Sequence, residues 1–318
     1  MVFKADKFVI EAEEYIKKTV ASKKAIIALS GGVDSFVAAT IAARAIPKQL
    51  LAVYVNTGLM RKNESENVRN AAEKAGIKLN VINAEKEFFA ALKGVLEPEE
   101  KRKIIGELFI RLFEREAKES NAEFLIQGTI APDWIESGGM GRDKIKSHHN
   151  VAGLPERMHL KLCEPLREIY KHEVRTIARA LGLPEYISER QPFPGPALVV
   201  RIVCEVTPAK AGVIREACAI VEEEIEKAAK ESKMELPWQY FAALLDTKTV
   251  GVRGDERAYK YVAVIRAVRS LDGMTANFSH IPHEVLQRIS TRITNEVREI
   301  GRVVYDITNK PPGTIEME

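Results

Sequence analysis

Hydrophobic positions in the first half of the chain alternate between two patterns. Apolar residues between Phe8 and Val20 recur at helical spacing, whereas Ala25–Leu29 is a continuous apolar run of strand length. Further strands are predicted at Leu50–Val55, Lys78–Ile82, Phe124–Gln127 and Leu160–Cys163, and helices at Val33–Ala45, Asn63–Gly76, Glu85–Leu92, Pro98–Glu119 and Arg167–Leu181. Strands that alternate with helices predict an α/β fold with a doubly wound parallel sheet.

The pattern changes after Ser188–Pro196, a segment with three prolines that indicates a linker or a rigid elbow. Beyond it we predict strands at Leu198–Val206, Tyr259–Val268 and Arg302–Ile307, and helices at Pro208–Met234 and near Glu284–Glu299. The final segment, Thr308–Glu318, is expected to be ordered and not helical. The sequence therefore predicts a first domain over residues 1–187 and a smaller α+β domain over residues 188–318.

Composition narrows the function classes. Of 318 residues 46% are hydrophobic, and the charges nearly cancel to a net +3, which argues against a dedicated nucleic-acid binder. The three cysteines form no C-x-x-C pair, so a zinc ribbon and a disulfide framework are not expected. No apolar run approaches the length of a membrane span. We expect a cytoplasmic protein that binds neither nucleic acid nor a membrane.

The turn Ser30–Ser35, with the sequence SGGVDS, lies between a predicted strand and a predicted helix. Two glycines let the backbone turn sharply, so that its N–H groups and the helix N-terminus form an anion site. The turn is not a Walker A loop, which needs G-x-x-x-x-G-K-[ST]. The sequence therefore predicts a phosphate-binding turn of a different type.

Asp34 is an acid at the position where phosphate is expected. An acid beside phosphate is repulsive unless a cation bridges the two, so we interpret Asp34 as a Mg²⁺ ligand. The alternative is a carboxylate that stabilises only the first turn of the helix.

The SGGVDS turn after an apolar strand resembles the fingerprint of the PP-loop ATP pyrophosphatases. Other segments resemble successive signatures of one branch of that superfamily, the GMP synthases. These segments are GLMR at residues 58–61, QGTIAPDWIES at 127–137, KSHHN at 146–150, QPFPGP at 191–196, VGVRGD at 250–255, RVVYDI at 302–307 and KPPGTIEME at 310–318. The resemblance covers nearly the whole chain, with the motifs in order.

The resemblance implies a PP-loop ATP-pyrophosphatase sheet followed by a smaller dimerisation domain. It implies amination of xanthosine monophosphate (XMP) to GMP, in which ATP adenylylates XMP and ammonia displaces AMP. Many GMP synthases carry a glutaminase domain with a G-x-C-x-G turn, and none of the three cysteines here has that context. A separate glutaminase subunit is therefore the expected ammonia donor, and a homodimer through the second domain is also implied. A tRNA-modifying adenylylating enzyme and a non-catalytic nucleotide-binding protein are the alternatives.

The resemblance also implies site residues. It places Mg²⁺ at Asp34, a catalytic role at Asp34 and Lys146, and a lid at Gly138–Asn150, which on composition alone is equally an ordinary solvated loop. The implied ATP contacts are Leu29, Ser30, Gly31, Gly32, Val33, Asp34, Ser35, Val55, Gly128 and Asp133. The implied XMP contacts are Arg61 from the first domain, with Arg201, Lys310, Thr314, Ile315 and Glu316. The roles of His148 and His149 stay open, and without the resemblance Lys310 would be interpreted as a solvated cation before a Pro-Pro turn.

Overall fold

A computed structural model describes residues 3–131, 160–253, 256–271 and 273–318 of the chain. Its contacts divide the chain into two compact units. The first holds residues 1–56, 63–84 and 106–190, and the second holds residues 57–62, 85–105 and 191–318. The functional domain boundary predicted at residues 187 and 188 stays a prediction.

The first unit is built on a parallel five-stranded sheet with the strand order β3-β2-β1-β4-β5. Its strands are β1 (Ala25–Ala28), β2 (Leu50–Asn56), β3 (Leu79–Asn83), β4 (Phe124–Ile126) and β5 (Lys161–Cys163). The helices of this half of the chain are α1 (Ala5–Val20), α2 (Val33–Ala45), α3 (Glu64–Lys74), α4 (Glu85–Ala91), α5 (Pro98–Ser120), α6 (Lys171–Ala180) and α7 (Glu185–Ser188). Residues 85–105 of this run belong to the second unit.

Strand β1 lies at the centre of the sheet, between β2 and β4. The strand order reverses at this point, because the chain adds β2 and β3 on one side and β4 and β5 on the other. Ligands in open α/β sheets bind beyond the carboxyl ends of the strands at such a reversal. Helix α2 follows β1 directly and is buried over most of its surface, from Val33 to Ala45. A helix that is apolar on nearly every side is typical of a core element, and it fixes the turn before it rigidly.

The second unit contains a mixed sheet with the order β10-β8-β7-β6, and β9 pairs with β8. Its strands are β6 (Ile202–Val203), β7 (Gln239–Arg253), β8 (Glu256–Arg269), β9 (Asn277–Phe278) and β10 (Ile300–Asp306). Its helices include α8 (Pro208–Lys230) and α9 (His283–Glu296). The α/β fold with a smaller α+β region is confirmed, and the tail at residues 308–318 is described without a helix, as expected.

One local prediction was wrong, and one long strand was missed. The predicted strand Leu198–Val206 begins as a 3₁₀ helix at Ala197–Arg201 and is extended only at Ile202–Val203. All five residues of that helix are buried, and a short apolar run buried on every side cannot be assigned to strand or helix from periodicity. The strand β7 was not predicted as an element.

None of the described helices is both long enough and apolar enough to cross a bilayer.

Candidate active site

The turn Ser30–Ser35 joins β1 to α2 and is stabilised by hydrogen bonds of its own serine hydroxyl groups. Ser35 Oγ donates to Gly32 O at 2.9 Å and accepts from Ser30 N at 3.3 Å. Gly31 has a φ of +79°, in the region that favours glycine, and Gly32 is the N-cap of α2. The turn therefore presents the unpaired N–H groups of a helix N-terminus beyond the carboxyl end of the central strand, which is a site for an anion.

Asp34 lies in the first turn of α2. Its Oδ2 atom is 2.5 Å from Nζ of Lys171, the first residue of α6. Its Oδ1 atom is buried and has no hydrogen-bond partner among the described residues. Within those residues no cluster of three or more His, Cys, Asp or Glu side chains is arranged to hold a metal. One buried carboxylate oxygen fits Mg²⁺, which is commonly bound by one or two carboxylates together with phosphate oxygens and water.

Gly128 lies in the loop after β4, on the other side of the strand-order reversal. A Cβ atom at this position would lie 2.8 Å from the carbonyl oxygen of Asp34, so only glycine allows the loop to approach α2 this closely. The next residue, Thr129, has a buried Oγ1 atom with no hydrogen-bond partner in the described part of the chain. The structure thus brings Gly128 next to the Ser30–Ser35 turn, and the family resemblance implies ATP contacts at both.

The predicted apolar ATP contacts Leu29, Val33 and Val55 are all buried. Their side chains belong to the protein interior, so a nucleotide at this edge would meet them mainly through the main chain. Asp133, Lys146, His148 and His149 lie outside the described residues, as does the predicted lid at residues 138–150. Their assigned roles stay predictions.

In the second unit Arg201 is fully buried and binds Glu316 at two points. Its Nε and Nη2 atoms each donate to one oxygen of the Glu316 carboxylate at 3.0 Å. The guanidinium carbon lies 5.0 Å from the ring centre of Phe193 and 4.1 Å from that of Phe241. Burial alone lowers the pKa of Arg201, but the Glu316 carboxylate and other neighbours outweigh it, so the pKa is raised. Arg201 is a permanent cation whose charge is balanced by Glu316.

The tail is held by a second fully buried arginine, Arg266 on β8. Its guanidinium donates to the carbonyl oxygens of Thr308 at 2.6 Å, Thr314 at 2.8 Å and Ile315 at 3.2 Å. Ile315 itself packs into a small apolar cluster with Val268. A buried guanidinium is costly without acceptors, so these three carbonyl oxygens stabilise Arg266 and hold the tail on this one path.

The two other predicted XMP cations also have protein partners. Lys310 donates from Nζ to Gly273 O at 2.8 Å. Arg61 lies in the second unit, with its guanidinium carbon 4.3 Å from the Phe193 ring centre, and it donates to Gln191 O at 3.0 Å. Arg61 and Arg201 therefore share Phe193, which places two of the predicted XMP residues on one aromatic ring.

Comparison with known proteins accounts for the chain from end to end. The model of the PP-loop domain matches residues 5–188, and the model of the GMP synthase C terminal domain matches residues 223–317. A subunit of GMP synthase [glutamine-hydrolyzing] from Thermococcus kodakarensis is 61% identical over 314 residues, which cover 98% of this chain and 99% of that protein. Its counterpart in Methanopyrus kandleri is 56% identical over 318 residues, the full length of both. The chain belongs to this family of GMP synthase subunits.

The resemblance seen in the motifs is thus confirmed, and the chain is an enzyme of the GMP synthase family. Among solved structures, NMN synthetase from Francisella tularensis matches with a TM-score of 0.50 at 17% identity, over 62% of this chain and 79% of that one. That likeness concerns the fold alone.

Four residues of this GMP synthase family member that contact predicted site residues were not found from the sequence. They are Lys171, which binds Asp34; Glu64 and Arg190, which lie beside Gly31; and Arg266, which holds the tail. None carries a motif of its own, and three of them lie more than a hundred residues from a partner. Each of them meets its partner only in the folded chain.

Proposed function

We propose that the chain catalyses the ATP-dependent amination of XMP to GMP, with release of AMP and pyrophosphate. The observation that carries the proposal is the Ser30–Ser35 turn at the strand-order reversal. Beside it lies the buried Oδ1 atom of Asp34, which has no hydrogen-bond partner among the described residues. The full-length similarity to subunits of GMP synthase supports XMP as the acceptor.

On the ATP side, the turn holds the β and γ phosphates through its N–H groups and the serine hydroxyls. Asp34 would hold Mg²⁺, which would supply positive charge to the departing pyrophosphate. The Gly128 loop and the end of β2 near Val55 enclose the nucleotide from the two neighbouring strands. The family resemblance adds Asp133 and Lys146 to this set.

On the acceptor side, Glu316 is the most firmly oriented group. Its carboxylate accepts from Arg201 at two points and from Gln239 Nε2 at 2.6 Å. A carboxylate fixed in this way accepts hydrogen bonds from a purine or ribose with little reorganisation. Arg201 thus contributes mainly by holding Glu316. Lys310 and Arg61 supply positive charge for the XMP phosphate, and Thr314 and Ile315 shape the tail around it.

The chemistry follows from leaving-group ability. The 2-oxo oxygen of XMP attacks the α-phosphorus of ATP, the bond to the β-phosphate oxygen breaks, and pyrophosphate leaves. Ammonia then adds to C2, and the C2–O bond breaks with AMP as the leaving group, so that the former 2-oxo oxygen departs in AMP. The protein contributes positioning and charge stabilisation, which suffice because ATP supplies the activation.

Two partners belong to the proposal. A separate glutaminase subunit supplies ammonia, which the names of the relatives support, since they describe one subunit of a glutamine-hydrolyzing enzyme.

A second copy of the chain binds through the outer half of the β7–β8 hairpin. There Val250 pairs with Tyr259 across the strands, and Val252 lies two residues on, so all three share one face. Val250 is 59% exposed, Tyr259 is 68% exposed and Val252 is 78% exposed. Such exposure is unusual for neighbouring apolar side chains on a monomeric protein.

The deciding experiment follows an oxygen atom. The purified chain is given ATP, Mg²⁺, ammonium and XMP labelled with ¹⁸O at the 2-oxo position, and GMP, AMP and pyrophosphate are measured. We expect one AMP and one pyrophosphate for each GMP, with the label in AMP. Glutamine in place of ammonium should support no GMP formation until a glutaminase subunit is added.

The controls separate this function from its alternatives. Without XMP, or with IMP in its place, pyrophosphate release should fall to background. A transfer RNA that supports pyrophosphate release in place of XMP would instead point to a tRNA-modifying enzyme. Label that stays in the nucleobase, or ADP as the product, would contradict the adenylyl intermediate.

A further inference from the structure

Glu64 and Arg190 form a two-point ion pair next to the PP-loop, although 126 residues separate them in sequence. The Nη1–Oε1 distance is 2.8 Å and the Nη2–Oε2 distance is 2.5 Å. The Glu64 side chain is 2% exposed and that of Arg190 is 14% exposed. Planar bidentate pairs of this kind fix the relative orientation of both side chains. Most ion pairs lie at the surface, whereas this one is largely buried. Its burial indicates a specific role inside the protein.

The contacts of the pair with Gly31 indicate this role. Arg190 Nη1 also donates to the carbonyl oxygen of Gly31 at 2.6 Å. The Glu64 carboxylate occupies the space that a side chain at position 31 would need, which adds a second reason for glycine beyond its φ of +79°. The ion pair therefore contacts the backbone of the loop at the one residue where the backbone is most free to turn.

A peptide group is planar and trans, so its C=O and N–H point in opposite directions. With the Gly31 carbonyl held by Arg190, the N–H of Gly32 points the other way, toward Ser30 Oγ at 3.3 Å in the interior of the turn. If this peptide flipped, the bond to Ser30 Oγ would be lost and a carbonyl oxygen would replace the donor inside the turn. Holding the peptide in one orientation thus keeps the Ser30 hydroxyl group, one of the proposed phosphate contacts, in place.

We propose that Glu64 and Arg190 are positioning residues that lock the Gly31–Gly32 peptide for phosphate binding. The proposal rests on the proposed function only in that ATP phosphates occupy the loop. It differs from a direct role for Arg190 as a phosphate ligand, because Glu64 already neutralises the guanidinium. The two roles predict opposite effects of removing the Glu64 charge.

The test uses the full chain and the variants Glu64→Gln and Arg190→Lys, with direct titration of Mg·ATP, Mg·pyrophosphate and adenosine by calorimetry. Each variant should bind Mg·ATP and Mg·pyrophosphate roughly tenfold more weakly, the usual effect of losing a charged hydrogen bond. Adenosine, which lacks phosphate, should bind as it does to the unchanged protein. These binding measurements need no XMP, so they remain informative even if the proposed acceptor is wrong.

A matched control is the exposed pair Arg179–Glu189, whose Nη1–Oε1 distance is 2.6 Å with 56% and 36% of the side chains exposed. Arg179→Lys and Glu189→Gln should leave all three affinities unchanged. Tighter pyrophosphate binding in Glu64→Gln would show that Arg190 is a direct ligand, and equal losses for adenosine and pyrophosphate would show a merely structural pair. Either result overturns the proposal. If Glu64→Gln fails to fold, Glu64→Asp replaces it, because the shorter side chain keeps the charge but cannot reach Arg190 at two points. The positioning role then still predicts weaker pyrophosphate binding, and the direct role does not.

Discussion

Lys171 and Asp34 form an ion pair on the PP-loop, with 2.5 Å between Nζ and Oδ2, while Oδ1 of the same carboxylate is buried without a partner in the described part of the chain. The two oxygens of Asp34 thus have different surroundings. The lysine balances its charge on one side, and the proposed Mg²⁺ would bind on the other. The proposed role accounts for this asymmetry, whereas a carboxylate that only stabilises the helix N-terminus needs no buried oxygen without a partner among the described residues.

Asp34→Asn should raise the Mg²⁺ concentration needed for half-maximal pyrophosphate release by about 10- to 100-fold, because the amide oxygen carries no full charge to offer the ion. The melting temperature should change by less than about 3 °C, since a first-turn carboxylate contributes only about 0.3–1 kcal/mol to a helix. Lys171→Met is the matched control, because it removes the other half of the ion pair and should not raise the Mg²⁺ requirement. A large loss of thermal stability with an unchanged Mg²⁺ titration would support the helix-stabilising role instead.

Gly128→Ala should impair activity through the PP-loop. The added methyl group would meet the Asp34 carbonyl at 2.8 Å, a backbone atom that cannot move without shifting the first turn of α2. Overpacking of this kind typically costs about 1–3 kcal/mol. We expect the KM for ATP to rise while the KM for XMP stays within about twofold. The control is Gly212→Ala, since nothing lies within 4 Å of an added Cβ atom at that position. Gly76→Ala would not be suitable, because Gly76 has a positive φ. Equal effects of both substitutions on ATP would refute the argument.

The sequence was sufficient for the parts of the structure that depend on local pattern. The run Ala25–Leu29, the SGGVDS turn and helix α2 were predicted nearly to the residue, because strand, turn and helix each have a distinct period or composition. The predicted helix Asn63–Gly76 instead begins at Glu64, because Asn63 is left-handed with a φ of 58° and its side chain makes no cap hydrogen bond.

The contacts that depend on tertiary structure were not accessible. Arg201 is an implied XMP contact, but its ion pair with Glu316 was not predicted, because pairing between residues 115 positions apart leaves no local signal. The same holds for Lys171 with Asp34. Cations and acids can be recognised from the sequence, whereas their partners follow from the strand order.

Val252→Lys should weaken the proposed homodimer. Val252 is 78% exposed on the outer half of the β7–β8 hairpin, so a lysine there costs little in an isolated chain but would place an unpaired charge in an interface. Light scattering at micromolar concentration should show a dimer for the unchanged chain and a shift toward monomer for the variant. Leu271→Lys is the control, because Leu271 is fully exposed and lies outside that strand pair. A fully active monomer of the unchanged chain would contradict the dimer.

Acid should selectively weaken the packing of α8 on α9. Burial alone raises the pKa of Glu224, but hydrogen bonds from Arg288 at 2.9 Å and Arg292 at 3.1 Å outweigh it, so the pKa is lowered. A lowered pKa in the folded state means that the stabilisation is complete above the unfolded pKa, about 4.3, and is lost as the pH falls through the folded value. Glu224→Gln should therefore lower the denaturant midpoint at pH 7. The difference in midpoint between the variant and the unchanged chain should become smaller by pH 3. A difference that grows toward low pH would show that the pKa of Glu224 is raised in the folded state.

The tail prediction follows from Arg266, whose fully buried guanidinium donates to three carbonyl oxygens between Thr308 and Ile315. A lysine at this position keeps the charge but cannot reach all three acceptors in the fixed geometry of a guanidinium. Arg266→Lys should therefore raise the KM for XMP by about tenfold or more while the KM for ATP changes little. Deletion of Lys310–Glu318 should abolish XMP-dependent activity and leave ATP binding near normal.

The control for this prediction is Arg269→Lys, on the same strand but with half of its side chain exposed and a single partner in Glu235 among the described contacts. It should leave both KM values unchanged. Carboxypeptidase digestion gives an independent measure, because a tail that has lost its internal donors spends more time away from the protein surface and is shortened faster. If Arg266→Lys speeds digestion but does not change the KM for XMP, the tail is ordered by Arg266 but does not bind XMP. A deletion variant that still requires XMP for pyrophosphate release would show that the acceptor site lies elsewhere in the chain.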